Sequence, residues 1–205
     1  MGIEFGEIKA SLCVRNNRLY EHGNVISPEP EISELVVAIN LHPEACTESS
    51  CQGHFGTFLG GSRVTLDVNG EFLRLHDNGM PFQDSRPDID LKRLEFFYDR
   101  AEIGLVISES ETGKRVSRVV EDWVDTRRDV AFMRKNYYSA SENGRCITFS
   151  PDQSAWAIDT SGGYPISRLR KYSFYELLRL NADRLKSFAE LSRLFVSEGS
   201  RAHYG

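Results

Sequence analysis

The stretch ISELVVAINLHPEACTESSCQGHFGTFLGG, residues 32–61, changes its hydrophobic period partway along and so decides the fold class. Ile32, Leu35, Val36 and Ile39 fall at i, i+3, i+4 and i+7, the spacing that lines one face of a helix. Upstream, Ser27 is a good N-cap and prolines and glutamates fill the first turn, while downstream Pro43 stops the helix. HFGTFLGG then reads as a strand leading into a glycine turn. The next residues, RVTLDVNGEFLRLHD (63–77), read as a hairpin. Its Asn69-Gly70 supplies two residues that tolerate the positive φ of a type I′ turn. Val64, Leu66 and Val68 on one arm share a face with Leu73 and Leu75 on the other.

Working outward, residues 3–13 and 17–26 read as a short hairpin around RNNR. Residues 77–90, rich in Pro, Gly, Asp and Asn, read as a loop. LKRLEFFYDRAEIGLVISE (91–109) reads as strand broken near Asp99-Arg100. From Lys114 to Lys135, Val116, Val119, Val120, Trp123 and Val124 have helical spacing. RCITFS and AWAIDTS pair as a further hairpin across residues 151–154. Ser173 and Glu176 make a capping box for a helix over about 173–197, with Phe174, Leu177, Leu178, Leu185, Phe188 and Leu191 on its apolar side. Helices and hairpins interleave without β-α-β alternation. The expected fold is therefore α+β, a mainly antiparallel sheet with hairpins and three main helices. It forms a single domain over 1–205, with a core over 1–165 and the C-terminal helix appended.

A hydrophobic content of 40% and a charged content of 27% exclude the disordered and collagenous classes. No segment reaches the roughly 18 apolar residues of a membrane span, and the N-terminus lacks the basic start and apolar run of a signal peptide, so the chain reads as cytoplasmic with no membrane partner. In that compartment Cys13, Cys46, Cys51 and Cys146 are expected as thiols. The net charge of −5 hides an asymmetry: residues 1–111 carry −10 and residues 112–205 carry +5. The second half can present a positive face to a polyanion, or it simply carries the solvated faces of two helices.

No phosphate-binding or dinucleotide-binding glycine motif is present, so the chemistry concentrates around Cys51. His42, Cys46, Cys51 and His54 are thiolate and imidazole donors of the kind zinc takes, with His76 as a further partner, although gaps of 3, 4 and 2 residues make one short segment wrap the ion. Alternatively Cys51, in a turn with Ser49, Ser50 and Gly53, is a thiol activated by converging backbone N–H groups. His76 is then the better base and Asp77 its orienter. A third reading makes Thr47, Ser49, Ser50, Gln52 and Gly53 a binding loop for a nucleotide-like ligand or phosphate. Against all three stands a buried small thiol in a polar surface turn.

LVVAINLHPEACTESSCQGHFGTFLGG (35–61) resembles a segment of the tRNA wybutosine-synthesising protein 3 family. There a helix ending I-N-x-H-P is followed by T-x-S-S-C-x-G-R and a strand of F-L-x-G type. Ile39, Asn40, His42, Pro43, Thr47, Ser49, Ser50, Cys51, Gly53, Phe58, Leu59 and Gly61 match. A G-x-W-L strand ending His-Asp or His-Glu is echoed by Gly70, Phe72, Leu73, His76 and Asp77. The family's arginine is His54 here, and beyond residue 77 the match ends. The resemblance implies an α+β fold and S-adenosylmethionine-dependent methyl transfer to a tRNA base. It implies Ser49, Ser50 and Gly53 at the cofactor, and Cys51, His76 and Asp77 as catalytic groups. Two alternatives stay open: a non-catalytic binding or regulatory domain of the same fold, meeting RNA or a protein partner, and a Cys/His metal-binding protein.

Overall fold

The computed structural model describes residues 5–10, 31–51, 53–59, 62–69, 72–77, 80–81, 90–99, 101–127, 130–133, 144–149 and 170–204. For residues 51, 54, 58–59, 62–69, 72–77, 80–81, 91, 99, 130–133 and 202–204 it describes the backbone alone. It is an α+β protein. In chain order the elements are α1 (5–10), α2 (Ser33–Leu41), β1 (Ala45–Cys51), β2 (His54–Leu59), β3 (Ser62–Asn69), β4 (Phe72–Asp77) and β5 (Met80–Pro81). Then follow β6 (Phe96–Asp99), β7 (Ala101–Ile107), α3 (Glu111–Asp125), β8 (Val130–Met133), β9 (Gly144–Phe149) and α4 (Phe174–Tyr204).

The chain divides into two compact units whose segments alternate along the sequence. The first, residues 1–52, 102–149 and 185–205, contains a four-stranded sheet in the order β1-β7-β9-β8. β7 is buried at every position from Ile103 to Ile107, as befits an inner strand. Its core joins Leu35 and Ile39 of α2, Val116 and Val120 of α3, Ile147 and Phe149 of β9, and Phe188, Leu191 and Phe195 of α4.

The second unit, residues 53–101 and 150–184, contains a five-stranded antiparallel sheet in the order β5-β4-β3-β2-β6. Phe55, Phe96 and Leu177 form its buried cluster, with Leu94, Tyr98, Phe174 and Leu180 packed against it. Phe96 and Tyr172 exchange backbone hydrogen bonds of 2.8 and 2.7 Å, which seats the approach to α4 against β6.

The α2 stripe is as the sequence predicts: Ile32, Leu35, Val36 and Ile39 are all buried. The proline effect is visible too, since His42 is extended at φ −67°, ψ 130°, the conformation that a following Pro43 enforces. The expected Ser27 cap lies outside the described residues. In the long hairpin the register sets Leu66 opposite Leu75 and Val68 opposite Leu73, as expected. Asn69 pairs with Phe72, however, so Asn69 belongs to β3 rather than to the turn expected at Asn69-Gly70. The capping box forms: the Ser173 N–H donates to Glu176 Oε2 at 2.8 Å, and the Glu176 N–H reaches Ser173 Oγ at 3.4 Å.

Further expectations change. Residues 5–10 are helical rather than strand, and their half-buried side chains, Phe5, Ile8 and Lys9, follow i, i+3, i+4. The helix expected over 114–135 starts earlier, capped by Ser110, and ends at Asp125, after which VAFM turns to strand. β9 lies between β7 and β8, so the hairpin partner of RCITFS is Val130–Met133. The expected partner, AWAIDTS, lies outside the described residues. Finally, α4 runs on to Tyr204, and Leu178 and Leu185, expected on its apolar side, are exposed. Its buried stripe is Leu177, Asn181, Arg184, Phe188, Leu191, Phe195 and Glu198, alternating steps of four and three. Three of those seven residues are polar, which is why hydrophobicity alone misplaces the face.

Candidate functional site

The residues of the matched stretch divide by what they touch. Asn40, near the end of α2, ties back to β1: the Thr47 N–H donates to Asn40 Oδ1 at 2.8 Å, and Asn40 Nδ2 donates to Thr47 Oγ1 at 2.9 Å. Between them, His42 is buried and its Nδ1 accepts the Glu44 N–H at 3.1 Å. The Lys9 ammonium donates to the His42 carbonyl and, at 3.0 Å, to that of Ala45. Ile39, Asn40, His42, Pro43 and Thr47 thus build the joint between α2 and β1. Asn and Thr suit that joint because each satisfies main-chain groups a short connection leaves open.

Ser49, Ser50 and Cys51 are expected in a turn, but they continue β1, paired with Gly104, Ile103 and Glu102 of β7. In a ladder successive N–H groups point to opposite sides, so the amides of Ser49, Ser50 and Cys51 do not converge. A register shift between Thr47 and Ser49 interrupts the pairing at Glu48, and Ser49 is exposed while Ser50 is half-buried. Gly53 has φ 79°, the left-handed region that a side chain resists, so glycine here is a backbone requirement. Beyond it, β2 opens with His54 opposite Asp99. His76 stands opposite Thr65 and Pro81, and Asp77 opposite Met80, in β4.

Cys46 is buried opposite Val106 in β1, and it and Cys146 carry thiols rather than disulfides. Among the described residues no three His, Cys, Asp or Glu side chains stand together as metal ligands. Within the expected zinc set, the His42 Nδ1 lone pair is already committed to the Glu44 N–H.

Sequence reading missed two polar clusters because both depend on α4. In the second unit Arg184, 4% exposed, donates from NH1 to the Gly53 carbonyl at 2.9 Å, and its guanidinium lies 4.9 Å from the Phe55 ring centroid. NH2 donates to Asn181 Oδ1 at 2.5 Å. In the first unit Glu198 is buried, with Arg201 at 2.6 Å and Arg115 at 3.4 Å. The His42 ring meets the Phe195 ring edge-on at 6.0 Å, and a Cβ on Gly199 would sit 3.3 Å from His42 Cδ2. A polar residue inside an apolar period was the available signal.

Burial, followed by the Lys9 ammonium, holds the His42 imidazole below its ordinary value of 6.5, and the Glu44 and Glu198 carboxylates offset this in part. The unfolded chain takes up a proton near 6.5 that the folded ring resists. Stability is therefore full above about pH 6.5 and falls as the pH drops from there toward the folded value. His42→Asn keeps an acceptor for the Glu44 N–H but removes the titration. Urea midpoints between about pH 7.5 and about pH 5.5 should fall more steeply in wild type than in the variant, and parallel curves would reject the assignment.

Among the described residues, part of the positive charge of residues 112–205 is paired locally. Lys114 pairs with Glu111 at 2.8 Å, and Arg127 with Glu190, while a pocket of about 370 Å³ beside β7 and α3 mixes Lys114, Arg118 and Arg145 with Glu109 and Glu121. No helix among the described residues is long and apolar enough to cross a membrane.

No protein family and no curated protein matches the chain. Among solved structures, the PH1069 protein from Pyrococcus horikoshii is similar at 11% identity and a TM-score of 0.43, covering 98% of this chain and 95% of that one.

Proposed function

We propose that the protein binds S-adenosylmethionine through Ser49, Ser50 and Gly53 and acts on tRNA or another RNA as a methyltransferase of the wybutosine-synthesising protein 3 type, with the α+β fold of that family. The observation that carries the reading is the sequence pattern from Ile39 to Gly61, continued by His76-Asp77. Two serine hydroxyls, at Ser49 and Ser50, are donors of the kind such a ligand takes. Once bound, the cofactor supplies an electrophilic methyl group. The chain's own work is to exclude water, hold the base by stacking and hydrogen bonds, and take a proton from the attacking nitrogen, a task for the His76 imidazole. Cys51 lines the pocket.

A second reading, a non-catalytic binding domain, draws support from Asn40, His42, Thr47 and Gly53, matched residues that all serve internal contacts. Calorimetric titration of metal-analysed protein with S-adenosylmethionine separates them. The expected result is micromolar binding that Cys51→Ala weakens about tenfold or more. Absence of binding rejects the methyltransferase reading, and RNA affinity that falls steeply with salt would then favour a binding domain. Stoichiometric zinc in the purified protein would instead restore the Cys/His metal reading.

A further inference from the structure

Gly53 is the last of the three residues assigned to the cofactor, and its carbonyl is not left to solvent. The partner comes from 131 residues away: Arg184 NH1 at 2.9 Å. The guanidinium is 4% exposed, so its direction is set by what it packs on, the Phe55 ring beneath it and Asn181 one helical turn earlier on α4. A planar fork held at two edges and one face has little freedom, and a lysine ammonium in its place would reach the carbonyl without the fork. A glycine at φ 79° gives up more backbone entropy on ordering than any other residue, so an external contact that fixes it has a large effect on local order.

We propose that Arg184 is a positioning residue, holding the Gly53 carbonyl and with it the backbone that would receive the cofactor. The effect on cofactor affinity rests on the reading given above; the hold on the carbonyl does not.

The chain contains a single Gly-His dipeptide, Gly53-His54. Protein labelled with carbonyl-13C glycine and 15N histidine therefore gives one correlated resonance, reporting the Gly53 carbonyl. In Arg184→Met, which keeps length and apolar contact with Phe55, that resonance should move upfield as the hydrogen bond is lost. Arg184→Lys should bring it part of the way back. Leu177→Ala, which thins the same core, should destabilise the unit and leave the resonance in place. The dissociation constant for S-adenosylmethionine should rise about tenfold in Arg184→Met and less in Arg184→Lys. An unmoved resonance in Arg184→Met overturns the proposal, as does a displaced resonance with wild-type affinity. If wild-type protein binds no S-adenosylmethionine, the cofactor reading fails, and the resonance alone decides whether Arg184 holds the turn.

Discussion

Gly113→Ala is expected to cost about 3 kcal/mol or more of folding free energy, although alanine is the best helix former and glycine among the poorest. Helix propensity taken alone gives the opposite sign, a gain of about 1 kcal/mol. What decides is the first turn of α3, which rests on the chain leaving β7. A Cβ at position 113 would fall on the Ser108 carbonyl oxygen and crowd Ser108 Oγ. A flexible side chain could rotate away, but a backbone carbonyl cannot, and Ser108 is pinned. Its N–H donates to the Glu44 carbonyl at 3.0 Å, and its hydroxyl meets Glu44 and, at 2.8 Å, Ser110 Oγ. Ser110 in turn caps α3 by accepting the Gly113 N–H at 2.9 Å. The substitution therefore forces apart a cap and a strand end that share one hydrogen-bond network. Urea unfolding checks it, with exposed Asp122→Ala in the same helix as the propensity control. A raised midpoint for Gly113→Ala would mean that the turn relaxes freely.

The sequence discloses elements wherever one period runs unbroken. The stripe from Ile32 to Ile39, the pairing of Leu66 with Leu75 and the Ser173–Glu176 box are all local patterns, and all are present. The matched stretch is harder to read. Its serines and Cys51 look like a turn because Ser, Gly and Gln punctuate chains, yet β1 continues through them because β7 offers a partner. That partner lies more than fifty residues away, and no window of local sequence contains it. The same holds for Arg184 and Glu198. They occupy buried steps of the α4 heptad but read as solvated charges, since the tertiary partners that help make their burial tolerable, Gly53 and Phe55 for one and Arg115 for the other, are distant in sequence. Of the candidate site, then, the residues are legible and their surroundings are not.

Phe195→Ala is expected to cost about 3–5 kcal/mol, the range for removing a fully buried aromatic ring, and its cost should depend on pH. Phe195 shares the first unit's core and meets the His42 ring edge-on. Domains of ordinary stability, about 5–15 kcal/mol, survive such a loss, so the variant is measurable. Removing the ring opens space beside an imidazole whose low pKa comes first from burial. Water entering that space would let His42 approach its ordinary value of 6.5. The sign of the effect follows from which state holds the proton. In wild type the unfolded chain gains a proton below about pH 6.5 that the folded chain refuses, so acid costs stability. With His42 free to protonate in both states, the variant loses less on acidification, and its deficit should be smaller at about pH 5.5 than at about pH 7.5. Leu191→Ala, also fully buried on α4, provides the comparison, with a cost that should not change over the same range. Equal deficits for Phe195→Ala at both pH values would show that the cavity stays dry and that the low pKa of His42 owes more to Lys9 than to the aromatic wall.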